Sequence, residues 1–161
     1  MIKTVSGDIL LSKARAIAHG IAPNDHFDQG LALSLREHYP ALAKDFRHYC
    51  HLENPVAGNA WTWITPTGQL IVNLLTQDAE GHGGKPGAAK LEHVNHTLRE
   101  LAKLIESEKI ASIALPKLAN GVGKLDWHDV KPLIEKHLGG LNTNVIIYET
   151  FQKGVAADEG L

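Results

Sequence analysis

The chain has 161 residues, 16 of them basic and 18 acidic, with a formal net charge of −2 and one cysteine, Cys50. That length suits one domain with a core of its own, the total charge gives no argument for non-specific nucleic-acid or membrane binding and leaves local basic patches open, and one thiol excludes an internal disulfide. No apolar run approaches the roughly 20 residues of a membrane-spanning helix, and Ile2 to Val5 looks like a strand and not a secretion signal, so a cytoplasmic protein is expected.

Ile2-Lys-Thr-Val5 reads as a strand closed by Gly7, and Ala16-Ile-Ala-His19 as a second that runs into the turn residues Pro23-Asn-Asp25. From Gly30 to Tyr39, Leu31, Leu35 and Tyr39 share one helical face, and Pro40 opens or follows a break into a further helix that reaches about Cys50. Trp61–Ile64 and Leu70–Leu75 flank Pro66-Thr-Gly68, the pattern of a hairpin. Residues 76–90 hold Gly81, Gly83, Gly84, Pro86 and Gly87 and are expected to be a long loop, a length usually kept for function or mobility. Leu91, Val94, Leu98, Leu101 and Ile105 then recur at helical spacing and form one apolar stripe. Ile110 to Leu115 is almost wholly apolar, as in a central strand covered on both faces. A second glycine-bearing loop runs from Pro116 to Leu125, and Asp126 or Asp129 caps a helix that ends at Leu138 before Gly139-Gly140. Pro132 leaves the start of that helix open, because proline is tolerated in the first turn. Val145–Tyr148 is the last strand. Residues 1–151 are expected to form the domain, and 152–161 a frayed tail.

Strands that alternate with helices predict an α/β fold with helices on both faces of a mostly parallel sheet, to which the hairpin adds an antiparallel part. Ligands of such sheets bind outside the carboxyl ends of the strands, here at the loops after Ala18, Leu75 and Leu115. Two nucleotide motifs fail. Gly84-Lys85 is followed by Pro86 and Gly123-Lys124 by Leu125, so neither is a P-loop, and no dinucleotide glycine fingerprint follows the first strand. Ten histidines invite a metal, but neither His93 with His96 nor His48 with Cys50 and His51 has four-ligand spacing, so no metal or other cofactor is expected. The run from Lys117 to Asp126 admits two readings: glycines that turn backbone N–H groups onto a phosphate, or a tight strand-to-helix turn.

Four segments resemble the macrodomain family, in order, from about Ile2 to Tyr148. Val5-Ser-Gly-Asp-Ile-Leu10 resembles its opening signature, V-x-G-D-I/L-L. Ala18-His-Gly-Ile21 with Gln29-Gly-Leu-Ala32 resembles the first ligand loop and the helix after it. Ile71-Val-Asn-Leu-Leu-Thr76 resembles the central strand I-x-N-x-x-T. Ser112 to Trp127 resembles the second ligand loop, in the form of the branch that holds the terminal ADP-ribose protein glycohydrolase and the DNA ADP-ribose glycohydrolase antitoxins.

The resemblance implies a three-layer α/β/α macrodomain with a mixed, mostly parallel central sheet that takes ADP-ribose or an ADP-ribosylated macromolecule. A nucleic acid would be a partner only where it carries the modified group. The resemblance further implies that Asp8, with the backbone of Ile9, accepts from the adenine amine, although Asp8 can also simply cap a turn. His19, Gly20, Asp28, Gln29 and Gly30 of the first loop would meet the distal ribose and diphosphate. Asn120, Gly121, Val122, Gly123 and Lys124 would hold the phosphates, and Tyr148 or Phe151 would stack on the adenine or serve as core or edge aromatics.

The chain departs from that branch at positions that matter. Its catalytic lysine falls at Gln77 and the aspartate partner at Gly123; an amide forms no Schiff base and glycine has no carboxylate. Asp28-Gln29 stands where relatives carry glycine. Of the titratable groups that the first loop brings to the distal ribose, His19, Asp25, His26 and Asp28, the expected catalytic residue is Asp28 first, with His26 and His19 as further candidates. Hydrolysis at the distal ribose is the leading expectation. The rivals are a non-catalytic ADP-ribose reader, an ADP-ribose 1″-phosphatase and an antitoxin that removes ADP-ribose from DNA.

Overall fold

The computed structural model describes residues 1–79, 86–121 and 123–161, the side chain of Pro86 excepted. In chain order the strands are β1 (Ile2–Gly7), β2 (Ala16–Ile21), β3 (Ala60–Ile64), β4 (Leu70–Leu75), β5 (Gln77–Ala79), β6 (Pro86–Ala89), β7 (Ser112–Pro116) and β8 (Asn144–Phe151). The helices are α1 (Gly30–His38), α2 (Pro40–Glu53), α3 (Leu91–Ser107) and α4 (Trp127–Leu138).

Six strands make the main sheet in the order β1-β8-β7-β2-β4-β3. Every neighbouring pair is parallel except β3 with β4, the expected hairpin. Strand periodicity divides the core in two. Ala16, Ala18, Val72, Leu74, Ile113, Leu115, Val145 and Ile147 face one way, against Leu98 and Leu101 of α3 and Ile134 and Leu138 of α4. Ile17, Ile21, Ile71, Leu75, Ala114 and Ile146 face the other way, against Leu35 of α1 and Leu42 and Phe46 of α2. Both faces are covered, so β4 is buried at every position, which is why it reads as a continuous apolar run and not as an alternating one. The chain has the three-layer α/β/α architecture with a mixed, mostly parallel sheet.

Two segments differ from expectation, and at a third, the start of α4, the structure takes one of the two expected caps. Residues 76–90 are not one structureless loop: β5 and β6 pair antiparallel, Gln77 opposite Ala89, and Gly81, Gly83 and Gly84 lie outside the described residues. Strands of three and four residues are too short to carry a periodic signal of their own. Pro132 sits inside α4, whose N-cap is Asp126, with its carboxylate accepting from the His128 N–H at 2.9 Å. The expected fraying of 152–161 is not what the fold has. The segment returns along β1, with the Asp8 N–H donating to the Val155 carbonyl at 2.7 Å and the Glu159 carboxylate accepting from the Ser12 hydroxyl at 2.6 Å. These bonds join residues about 150 positions apart and bury little apolar surface, so no local pattern announces them.

Among the described residues no helix is long and apolar enough to cross a membrane. Because β1, β2, β4, β7 and β8 run parallel, the loops after Ile21, Leu75, Pro116 and Phe151 gather at one end of the sheet.

Candidate functional site

A cavity of about 640 Å³ opens at that end, within the size range of small-molecule sites. His19, Gly20 and Ile21 at the end of β2 form its floor, and Asp25, Asp28 and the first turn of α1 form one wall. Pro116, Lys117, Ala119, Gly121 and Gly123 after β7 form the opposite wall, Gln77 lies between, and Tyr148, Glu149 and Phe151 stand at one edge.

The first wall is shaped by side chains. The Asp25 carboxylate accepts from the Phe27 N–H at 2.8 Å and the Ala22 N–H at 3.3 Å, an Asx turn that folds the loop on itself. Phe27 takes a left-handed φ of 59°, which is costly for an aromatic residue. Its ring, fully buried, meets His19 edge-on at 5.9 Å and Phe46 at 5.5 Å. Burial pushes the Asp25 carboxyl up and the Asp28 charge adds to this, against the opposing pull of the two N–H groups. Asp28 is more open and pairs with Arg36 at 3.0 Å, and Arg36 also donates to the His26 carbonyl at 3.1 Å. The His26 side chain is exposed and is not part of the cavity wall. Gln29, the N-cap of α1, makes no side-chain cap, so the first N–H groups of this nine-residue helix remain for an anion at the cavity, reached past Gly30 with its φ of 59°.

The floor is polar but electrically quiet. His19 and Asn73 are register partners on neighbouring strands, and His19 Nε2 meets Asn73 Oδ1 at 2.7 Å. The Asn73 amide nitrogen donates to the carbonyls of Trp61 and Ile71 at 3.0 and 3.2 Å, so its oxygen must accept and Nε2 must carry the proton. Burial lowers the His19 pKa to about 4, the Asn73 bond only partly opposing it, and the ring is neutral near pH 7. It can orient a ligand there but holds no proton to give as an imidazolium. Beside it a Cβ on Gly20 would lie 2.5 Å from Thr76 Oγ1, so only glycine fits; that buried hydroxyl has no hydrogen-bond partner among the described residues. Gln77, 3% exposed, donates through Nε2 to the Gly87 carbonyl at 2.8 Å and so ties β5 to β6 at the cavity.

The second wall is shaped by backbone. Among its described residues Ala119 and Lys124 take left-handed φ angles, 60° and 63°. Among the described residues nothing lies within 4 Å of a Cβ added to Gly121, which lines the cavity. An added Cβ on Gly123 would lie 2.8 Å from the Ala119 carbonyl and 2.9 Å from Ala89 Cβ, so no carboxylate could stand there without moving the loop. Asn120 and Lys124 are not part of the cavity wall: the Asn120 amide donates to the Leu125 carbonyl at 3.1 Å, and the Lys124 N–H closes a turn on Gly121. Val122 lies outside the described residues.

At the β8 edge Phe151 is 63% exposed and Tyr148 is buried, its hydroxyl donating to Glu159 at 2.8 Å. Burial, followed by the Glu159 carboxylate, holds the Tyr148 hydroxyl well above its usual pKa. Asp8 and Ile9 do not reach the cavity. Asp8 caps the short 3-10 turn Ile9–Leu11, taking the Leu10 N–H at 3.0 Å, while its second oxygen takes the Gly154 N–H at 2.9 Å. Ile9 is core. Among the described residues no three His, Cys, Asp or Glu converge as metal ligands.

Sequence reasoning placed His19, Gly20, Asp28, Gln29, Gly30, Gly121, Gly123, Tyr148 and Phe151 at this end of the sheet, and all nine line the cavity. Lys117 and Glu149 are wall residues it missed. Their only signal was position, one just after β7 and the other beside Tyr148 near the end of β8. Glu149 is held ionised by the Trp127 N–H and Lys131, at 3.0 and 3.1 Å.

A three-layer α/β/α sheet with its ligand cleft between a helix N-terminus and a glycine-bearing loop defines a class of small-molecule binding domain. Within that class the chain belongs to the macrodomain family, whose Macro domain model matches residues 25–134. The DNA ADP-ribosyl glycohydrolase of Mycobacterium tuberculosis is 30% identical over 136 residues, 81% of this chain and 37% of the relative. The chain therefore spans well under half of that relative's length. The solved macrodomain of Mycobacterium tuberculosis DarG superposes with a TM-score of 0.81 at 26% identity, over 92% of this chain and 97% of that one. Thermosipho africanus DarTG in complex with ADP-ribose shares the fold, with a TM-score of 0.78 at 19% identity over 96% of this chain and 42% of that one.

Proposed function

We propose that the cleft binds ADP-ribose or an ADP-ribosylated group and hydrolyses the ADP-ribosyl linkage at the distal ribose. The observation that carries this reading is the pairing of the uncapped α1 N-terminus with the open Gly121 loop across one cavity, with Asp25 and Asp28 on the α1 side. A diphosphate fits donors of that kind, and the names of the relatives above support the ligand class. A DNA partner would be engaged through the modified group, since a net charge of −2 supplies no general affinity for a phosphate backbone.

The chemistry assigned to the site is proton transfer from the first loop. Asp28, exchanged out of its Arg36 pair, takes the proton of the water that attacks C1″ of the distal ribose as the bond from C1″ to the leaving group breaks, and passes that proton to the leaving group, a role typically worth a factor of about 10² to 10⁴. Asp25 holds the loop in register. Gln77 has no amine and Gly123 no carboxylate, so a route through a lysine adduct is not supported at these positions. The same two residues favour a second reading, a reader that binds without turnover.

The test is a binding and turnover panel of ADP-ribose, its 1″-phosphate, acetylated ADP-ribose, and ADP-ribosylated protein and DNA. ADP-ribose should bind in the micromolar range, about −8 kcal/mol, and stabilise the fold by about 2.7 kcal/mol at a hundred times its Kd. No heat and no thermal shift at millimolar ADP-ribose would remove the proposal, and binding without cleavage would put the reader first. On any substrate cleaved, Asp28→Ala should lower kcat by that factor with binding retained, while Gln77→Ala should leave the chemistry largely intact.

A further inference from the structure

We propose that residues 152–159 form a strap over the β1–β8 end of the cleft, and that a purine-bearing ligand must displace it to reach Asp8. The proposal rests on the ADP-ribose reading above. β1 and β8 are parallel neighbours that end together, Gly7 opposite Phe151, so Asp8 leaves the sheet beside the two aromatic residues at the cavity edge, Tyr148 and Phe151. A carboxylate next to aromatic faces is the chemistry of a base site: the rings stack, and the carboxylate accepts from an exocyclic amine.

That carboxylate is occupied. Oδ1 is held by the Leu10 N–H within its own turn, but Oδ2 is held by the Gly154 N–H of the strap at 2.9 Å. Oδ2 can accept a second donor, but Asp8 is only 7% exposed with the strap in place, so a base amine reaches it only where the strap has moved. The strap also lies directly on Gly7: an added Cβ there would come within 2.9 Å of the Ala157 backbone and side chain and of the Val155 carbonyl. The far end of the strap is latched by Glu159, which accepts from the Ser12 hydroxyl, the Lys13 N–H and the Tyr148 hydroxyl at 2.6, 2.8 and 2.8 Å.

The hold is polar and shallow. Of the strap residues only Ala157 packs on the core, and Val155 is 48% exposed. Few buried apolar contacts combined with hydrogen bonds near solvent mark a segment that opens locally at low cost. Apparent affinity then falls by the fraction of molecules in which the strap is open.

Two measurements on the full chain test this. In wild type, saturating ADP-ribose should speed hydrogen exchange at the Gly154 amide while it protects the rest of the site. In Glu159→Ala, ADP-ribose should bind about tenfold tighter, the gain expected if the strap is closed about nine-tenths of the time. The gain should be absent for the hypoxanthine analogue, which lacks the exocyclic amine, and absent in Glu159→Ala combined with Asp8→Ala. Equal ADP-ribose affinity in wild type and Glu159→Ala, weaker binding in the variant, or added protection at Gly154 would overturn the strap and leave the ADP-ribose reading intact. If neither protein binds ADP-ribose, that reading fails and the strap falls with it.

Discussion

The two loops that wall the cleft are built on opposite principles. The β2–α1 loop is made by side chains: Asp25 folds it, the Phe27 ring anchors it under His19 and Phe46, and Arg36 ties Asp28 and the His26 carbonyl together. The β7–α4 loop is made by backbone bonds, Leu125 N–H to the Ala119 carbonyl and Lys124 N–H to Gly121, and its glycines matter for the space they leave. The first can carry proton chemistry but is vulnerable to loss of packing. The second carries shape and is vulnerable to added atoms.

The largest effect that tests this contrast is Phe27→Ala. Removing a fully buried ring should cost about 3–5 kcal/mol, read as a fall in melting temperature, and should loosen the whole first wall. A loss below about 1 kcal/mol would mean that the loop does not depend on its anchor. Next is pH. His19 stays neutral in the fold down to about pH 4, whereas an unfolded imidazole titrates near 6.5. Between those values the unfolded chain binds more protons, so stability should fall by about 3 kcal/mol as pH drops from about 6.5 to 4, and stay unaffected by this group above 6.5. Denaturant titrations across that window, with His19→Gln as the reference that lacks the slope, check it.

The second loop should separate its two glycines. Gly123→Val pushes against Ala119 and Ala89 and should cost about 1–3 kcal/mol of stability as overpacking does, with binding lost as the wall shifts. An added Cβ on Gly121 meets none of the described residues within 4 Å, so for Gly121→Val the melting temperature should hold while calorimetry finds ADP-ribose binding abolished. Equal melting temperatures for the two variants would erase the distinction drawn between them. The smallest effect is Asp28→Ala on stability. An exposed pair with Arg36 is worth about 0–1 kcal/mol, and a larger loss would show that Asp28 supports the loop as Asp25 does.

The difference between the loops also explains what could be read in advance. Glycines at 121 and 123 point to a close approach, and both line the cleft, while Ala119 and Lys124 beside them take left-handed φ angles. The roles of the acidic residues could not be read that way. Asp8, Asp25 and Asp28 are three loop aspartates of identical chemistry. Only the fold shows that the first is spent on two backbone N–H groups, the second on a turn and the third on an arginine eight residues away. The Gly154 N–H is brought to Asp8 by a return of the chain 146 residues on, which local spacing does not encode, while Asp25 and Asp28 take partners within eight residues.

By itself the sequence determined the alternation of strands and helices, the buried central strands, the amphipathic stripe of α3 and the end of the sheet at which the cleft lies. Those features follow from periodicity and turn chemistry, which act over a few residues. Tertiary structure alone decided that β5 and β6 pair, that His19 is buried neutral against Asn73, and that residues 152–159 cover Asp8 where an open base site was expected. The first joins two short strands close in the sequence and the others join segments 54 and 146 residues apart, and all are settled by burial and hydrogen-bond competition in the finished fold.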